Sequence, residues 1–106
     1  LPAAQPLDVY VVVLGASAHV AALQLVQSLR DQGYAVERDV LNRKIKQQFK
    51  SAEEFGAKVI ITLGESEVET GEIVVKNNAT RAEVKTTLSE IQSQFDTVFT
   101  EVAADA

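Results

Sequence analysis

Asp8-Val9-Tyr10-Val11-Val12-Val13-Leu14 is the stretch of sequence that decides the fold. Such a nearly continuous run of β-branched and aromatic residues is typical of a strand that is buried on both faces, as in a parallel sheet. Gly15-Ala16-Ser17 ends the run, and Ser17 is a candidate N-cap for a helix. We therefore predict a central parallel strand that leads directly into a helix.

Downstream of this strand the pattern alternates between helix and strand. The apolar residues of the first helix recur at helical spacing, at Ala22, Leu23, Val26 and Leu29. Gly33 ends this helix. The next elements are a short strand over 34–39, a helix over about 41–55 and a buried strand over 58–63, with breaks at Gly56 and Gly64. This order predicts an α/β fold with parallel strands.

The last third of the chain allows two interpretations. Residues 72–76 form a strand, and two capping boxes then compete for the start of the final helix: Thr80 with Glu83, and Thr87 with Glu90. The first box starts the helix near Arg81, whereas the second leaves a hairpin turn at Asn77-Asn78 and an edge strand over 81–85. We favour the second, because polar and apolar residues alternate cleanly over 81–85. The final helix then runs from Leu88 to about Val102, with its core side at Leu88, Ile91, Phe95, Val98 and Phe99.

The composition indicates one folded domain. The net charge of the chain argues against nucleic-acid binding, whereas the distribution of its charges permits it. The chain has 106 residues, and its 46% hydrophobic and 24% charged residues argue against disorder. Its formal net charge is −5, whereas a free-standing nucleic-acid binder is usually basic. Five of the ten Lys and Arg residues nevertheless lie between Arg38 and Lys50, while acids gather at 65, 67, 69 and 72. Such segregation permits a local positive surface on an acidic body.

The ends of the chain predict a piece of a longer protein. We divide it into a linker remnant (1–7), one folded domain (8–102) and a short tail (103–106), and the lack of any Met fits this division. The first six residues lack the charged and apolar segments of a signal peptide, and no apolar run approaches the roughly 20 residues that span a bilayer. The absence of cysteine excludes disulfides and thiol chemistry and fits a cytoplasmic protein.

The second predicted helix carries the feature that points to function. At about 100° per residue, four apolar side chains share its inner face: Leu41, Ile45, Phe49 and Ala52. Four basic or amide side chains share the opposite face: Arg43, Lys46, Gln47 and Lys50. Cations at this spacing can neutralise several phosphates of a nucleic-acid backbone, and Gln47 can read a base edge. The pattern also fits an ordinary solvated helix face, so spacing alone leaves both interpretations open.

The sequence yields no catalytic, cofactor-binding or metal-binding constellation. The acidic segment at 65–72 has no histidine or aspartate cluster beside it, and its spacing fits no calcium loop. His19 is the single histidine, and no nucleophile and base can be paired around it. A phosphoreceiver domain is excluded, because Leu14-Gly15 and Leu63-Gly64 stand where it needs acidic residues. We therefore expect no active site, cofactor or metal in this chain.

Two central blocks of the sequence match a known family. The first is Arg43-Lys44-Ile45-Lys46-Gln47-Gln48-Phe49-Lys50-Ser51-Ala52 with Gly56-Ala57 after it, and the second runs from Ile60 to Lys76 through Gly64-Glu65-Ser66-Glu67. Together with the opening strand at 11–15, they resemble the C-terminal anticodon-binding domain of bacterial histidyl-tRNA synthetases. The similarity covers about residues 8–102. Asn42 departs from the pattern, because relatives often carry glycine there.

This resemblance implies a three-layer α/β/α anticodon-binding fold, with a mixed sheet of about five strands and three helices. It also implies recognition of the anticodon stem-loop of histidine tRNA by one domain of a histidine–tRNA ligase. In that case a separate catalytic domain of the parent chain uses ATP and Mg, and the parent is a homodimer. The rival interpretation is a protein-interaction or dimerisation domain of a synthetase-like regulator.

The resemblance also assigns roles to individual residues. In the wider class IIa group, the second glutamate of the acidic loop and the basic residue that ends the next strand contact anticodon bases. These positions are Glu67 and Lys76. A carboxylate can accept from a base amino or imino group, and a cation can reach a phosphate or a base oxygen. The helix residues complete the expected set of tRNA contacts, with Arg43, Lys46, Gln47 and Lys50.

Overall fold

The computed structural model describes residues 6–104, and within that range the chain forms five strands and four helices. In chain order these are β1 (Val9–Leu14), α1 (Ala18–Asp31), β2 (Val36–Arg38), α2 (Ile45–Glu54), β3 (Val59–Gly64), α3 (Glu65–Thr70), β4 (Glu72–Asn77), β5 (Glu83–Thr87) and α4 (Leu88–Ala104). The expected linker remnant and tail fall partly outside the described residues, at 1–5 and 105–106.

The strands form one mixed sheet in the order β2-β1-β3-β4-β5. β1 is parallel to β2 and β3, whereas β4 is antiparallel to both β3 and β5. The parallel half requires crossover connections, which α1 and α2 supply, and a short hairpin suffices for the last two strands. The mixed five-stranded sheet implied by the resemblance is therefore confirmed.

Helices cover both faces of the sheet. Val9, Val11 and Val13 point into a core that α1 and α4 close, while Tyr10 and Val12 point into a smaller core beneath α2. All five side chains are at most 1% exposed, which is why β1 is an unbroken apolar run. The three-layer α/β/α arrangement is confirmed.

The end of the chain follows the second of the two capping boxes. Thr87 Oγ1 accepts a hydrogen bond from the backbone N–H of Glu90 at 3.1 Å, as the cap of a helix does. The edge strand begins at Glu83, two residues later than predicted. The reason is that the residues between Asn77 and Glu83 form the turn. The hairpin and the helix start at Leu88 are confirmed.

Two predictions about helices were wrong. Helical spacing grouped Leu23 with the apolar residues of α1, but Leu23 is 55% exposed, while Leu25 is fully buried. The two residues lie about 200° apart around the helix axis, so they cannot share a face. The acidic segment, expected to be a loop, forms α3, so the described residues contain four helices where three were expected.

None of the helices within residues 6–104 is long and apolar enough to cross a membrane.

Candidate nucleic-acid interface

The outer face of α2 is exposed and positively charged. Lys46, Gln47 and Lys50 are all exposed, while Gln48 and Ala52 are buried on the inner side. The ion pairs formed within residues 6–104 involve neither Lys46 nor Lys50. Two of the predicted cations and the predicted amide therefore share a solvent-facing surface on one helix.

Arg43 does not belong to this surface, and its predicted place on the helix was wrong. α2 begins only at Ile45, because Asn42 adopts a left-handed conformation with φ of 53° that no helix continues through. Asn tolerates this conformation better than most residues do. Asp39 then binds the backbone N–H of Arg43 through Oδ2 at 2.9 Å.

The Arg43 side chain turns towards the sheet instead. Its Nε donates to Oδ1 of the buried Asp39 at 2.7 Å, and its Nη2 donates to Ser51 Oγ at 2.8 Å and to the Tyr10 hydroxyl at 3.3 Å. The hydrogen bond to Asp39 raises the pKa of Arg43, and burial raises the pKa of Tyr10. Arg43 thus fastens the β2–α2 connection to the central strand.

The inner face of α2 also differs from the predicted one. Leu41 precedes the helix and is 71% exposed, and Ile45 is 44% exposed. Ala52 is buried and Phe49 packs partly into the smaller core, as predicted. The central inner position is taken by a polar residue, Gln48, which is fully buried.

Gln48 completes the hydrogen bonding of β1 where β2 has ended. The last β2 residue, Arg38, pairs with Val11, so Val13 has no partner on that side. Gln48 Oε1 accepts from the Val13 N–H at 2.7 Å, and Gln48 Nε2 donates to the Val13 carbonyl at 2.8 Å and to the Arg43 carbonyl at 2.7 Å. The amide therefore takes the place of a missing strand residue, and it fixes α2 on the sheet.

Lys76 lies beside α2. Its neighbours Val75 and Ile73 point into the α1–α4 core, so Lys76 and Val74 point to the opposite face of β4. Lys76 Nζ lies 6.0 Å from the centroid of the Phe49 ring and 3.9 Å from Glu83 Oε2. The structure thus brings the predicted strand-end cation to the flank of the basic helix.

Glu67 sits at the other end of β4. Its Oε1 accepts a hydrogen bond from the Gly64 backbone N–H at 2.8 Å and so caps α3. A Cβ at position 64 would lie 2.8 Å from that oxygen, so a larger residue there would displace the carboxylate from its present position. Glu67 lines a groove of about 570 Å³ together with Val74 and Lys85.

A second groove, of about 500 Å³, runs along the basic side of α2. We call it the α2 groove, and its lining residues are Lys46, Gln47, Phe49, Lys50, Glu53, Asn78 and Arg81. Glu67 and the α2 lysines therefore line different grooves. β4 joins the two, because Val74 lines the first and Lys76 stands beside Phe49 of the second. Arg81, which sits in the β4–β5 turn, was not predicted to lie in this region.

The chain has a five-stranded mixed sheet with helices on both faces, and one of these helices has a basic surface. These features define a class of small α/β domains with a local positive patch. A sequence model described as an anticodon binding domain matches residues 8–97. The chain belongs to this anticodon-binding domain family.

The most similar curated relatives include histidine–tRNA ligases of streptococci. The chain is 59% identical to the enzyme of Streptococcus uberis over 98 residues, which are 92% of this chain and 23% of that protein. It is 54% identical to the enzyme of Streptococcus mutans over 105 residues, which are 99% of this chain and 24% of that protein. The chain thus spans about a quarter of the length of these relatives.

Solved structures of aminoacyl-tRNA synthetases contain a domain with a similar fold. The apo histidyl-tRNA synthetase of S. aureus matches with a TM-score of 0.81 and 37% identity, over 85% of this chain and 23% of that one. The RNA binding domain of threonyl-tRNA synthetase from Cryptosporidium parvum matches with a TM-score of 0.76 and 16% identity, over 92% of this chain and 24% of that one. The second likeness shows the fold alone.

Proposed function

We propose that this chain recognises the anticodon stem-loop of histidine tRNA as one domain of a longer histidine–tRNA ligase. The observation that carries the proposal is the exposed basic surface of α2, with Lys46 and Lys50 free of ion pairs to the residues at 6–104. Identity of 59% to a histidine–tRNA ligase over nearly the whole chain supports the choice of tRNA.

Each part of this surface has a distinct task in the proposal. Lys46 and Lys50 neutralise backbone phosphates, while Gln47 offers both a donor and an acceptor to a base edge or a ribose. Lys76 reaches bases or phosphates that lie across β4, next to Val74, which is 36% exposed. Glu67 accepts from the amino or imino groups of unstacked anticodon bases. Arg43 stabilises the segment that precedes α2 through its hydrogen bonds to Asp39, Ser51 and Tyr10.

The rest of the parent protein supplies the chemistry. A separate catalytic domain would use ATP and Mg to attach histidine, while this domain holds no cofactor. The length of the relatives, about four times that of the matched region, leaves room for such a domain. We further propose that the parent is a homodimer and acts in the cytoplasm, where tRNA is charged.

The direct test is a titration of the labelled anticodon stem-loop at low salt. Lys46→Gln with Lys50→Gln removes two phosphate contacts, so we expect binding to weaken roughly tenfold or more. A matched control, Gln24→Glu with Gln92→Glu, changes the net charge by the same amount but alters exposed residues of α1 and α4. Equal binding by the lysine variant and the wild type would count against the α2 surface.

A second candidate is a contact surface for another protein. Val40 and Leu41, next to α2, are 64% and 71% exposed, and adjacent exposed apolar side chains favour protein contacts. The salt dependence of RNA binding separates the two candidates. A steep loss of affinity with salt supports the tRNA role, whereas a flat response supports the protein-contact role.

A further inference from the structure

Arg81 is held in an unusual backbone conformation by a well-built turn. Its φ is 70°, in the left-handed region that favours glycine. Its N–H donates to the Asn77 carbonyl at 2.9 Å, and Asn77 Oδ1 accepts from the N–H groups of Ala79 at 2.8 Å and Thr80 at 3.0 Å. The Asn77 side chain is itself buried and donates to the Val102 carbonyl at 3.1 Å. The turn is therefore anchored to α4 and leaves Arg81 little freedom to relax.

The same turn is tied to the start of β3, beneath α2. Asn78 N–H donates to the Lys58 carbonyl at 3.0 Å, and Asn78 Nδ2 donates to the Ala57 carbonyl at 3.0 Å. These bonds fix the turn as one wall of the α2 groove, where Arg81 lies with Lys46 and Lys50 of the helix. Two elements far apart in sequence thus present their cations to one cleft.

The charge of the α2 groove is opposite to that of the whole chain. Three cations line it against one carboxylate, Glu53, although the formal net charge of the chain is −5. Within residues 6–104, Lys46, Lys50 and Arg81 take part in none of the ion pairs, whereas Lys76 and Arg43 are each paired with a carboxylate. The groove therefore offers cations that are available to an anionic ligand.

We propose that the α2 groove binds the sugar–phosphate backbone of RNA, with Arg81 clamping a phosphate from the side opposite Lys46 and Lys50. The guanidinium binds a phosphodiester through two parallel N–H donors, a geometry that a lysine cannot provide. The turn places Arg81 in the lining of the groove, from which its side chain can reach a phosphate. This assignment rests on the proposed function and adds a sequence-independent contact to it.

The experiment compares Arg81→Asn with the wild type on two RNA hairpins of equal length, the histidine anticodon stem-loop and an unrelated one. Asn tolerates the left-handed conformation, so the variant removes the charge and retains the turn, and Arg81→Gly serves as a second variant of the same kind. Gln24→Glu on the exposed side of α1 is the control with the same change in net charge. The dissociation constant is measured over a range of salt concentrations.

The expected result is weaker binding of both hairpins by the same factor, about three- to tenfold at low salt, with the salt slope reduced by about one. Gln24→Glu should leave the slope unchanged. If both Arg81 variants keep the wild-type affinity and salt slope, the assignment is overturned. This holds even if the wild-type chain binds the histidine anticodon stem-loop more tightly than the unrelated hairpin. In another outcome, the wild type binds both hairpins equally while the Arg81 variants bind them more weakly. That result would reject anticodon recognition and support phosphate binding in the α2 groove. Failure of the wild type to bind either hairpin would reject both.

Discussion

Glu67 is a residue for which we propose a role in recognition in addition to its role in the fold. One carboxylate oxygen caps α3 at the Gly64 N–H, and the residue also lines the groove beside Val74 and Lys85. A carboxylate that is fixed by a cap points its second oxygen in a defined direction. This fixed direction favours reading of a base over general attraction of charge.

Glu67→Gln separates these two roles. The amide oxygen of Gln can still accept from Gly64, so the fold should persist, but an anticodon base amino or imino group loses its charged acceptor. We expect discrimination between the histidine anticodon and a changed anticodon to fall more than overall affinity does, when both stem-loops are titrated. Glu67→Ala, which also removes the cap, is the comparison for effects of folding. Unchanged selectivity in Glu67→Gln would rule out the reading role.

At the scale of residues, periodicity predicted the position of some side chains of the proposed site and not of others. The shared exposed face of Lys46, Gln47 and Lys50 was predicted correctly, because helical spacing is a local property of the sequence. Arg43 was misplaced because its position depends on a buried partner, Asp39. The position of Arg81 beside α2 could not be predicted, because only the tertiary contacts of the β4–β5 turn bring it there.

At the scale of elements, the docking of α2 depends on Gln48. Removal of its amide leaves the Val13 N–H and carbonyl without their partner in a buried position. We expect Gln48→Leu to reduce the free energy of unfolding by about 2–5 kcal/mol, measured by urea denaturation. The neighbouring residue Gln47 is exposed, so Gln47→Leu should change the free energy of unfolding by less than about 0.5 kcal/mol. Similar values for the two variants would contradict the account of how α2 is held.

Element types were easier to predict than their ends. β1 and β3 were recognised from apolar runs, and the hairpin was recognised from alternation over 81–85. The start of α2 was set four residues too early, because hydrophobic periodicity does not reveal the left-handed backbone of Asn42 or the extended backbone of Lys44. α3 was missed because it is six residues long and is capped by its own Glu67.

At the scale of the whole molecule, the distribution of charge matters more than its sum. The formal net charge of −5 opposes RNA binding, yet the cations of α2, β4 and the β4–β5 turn lie on one side of the sheet. The opposite side is covered by α1 and α4. The proposed RNA surface therefore lies on one side of an acidic domain, and salt at about 0.1 M screens the repulsion from charges more than about 10 Å away.

The central claim is that this side of the molecule receives the anticodon stem-loop, and amide chemical shifts of the isotope-labelled chain test it most directly. On addition of the histidine anticodon stem-loop, we expect shifts in α2 from Lys46 to Lys50, in β4 around Lys76, and at Glu67 and Arg81. The exposed α1–α4 side around Gln24 and Gln92 should stay unchanged. Shifts centred on the α1–α4 side, or no shifts under conditions of saturating RNA, would contradict the account.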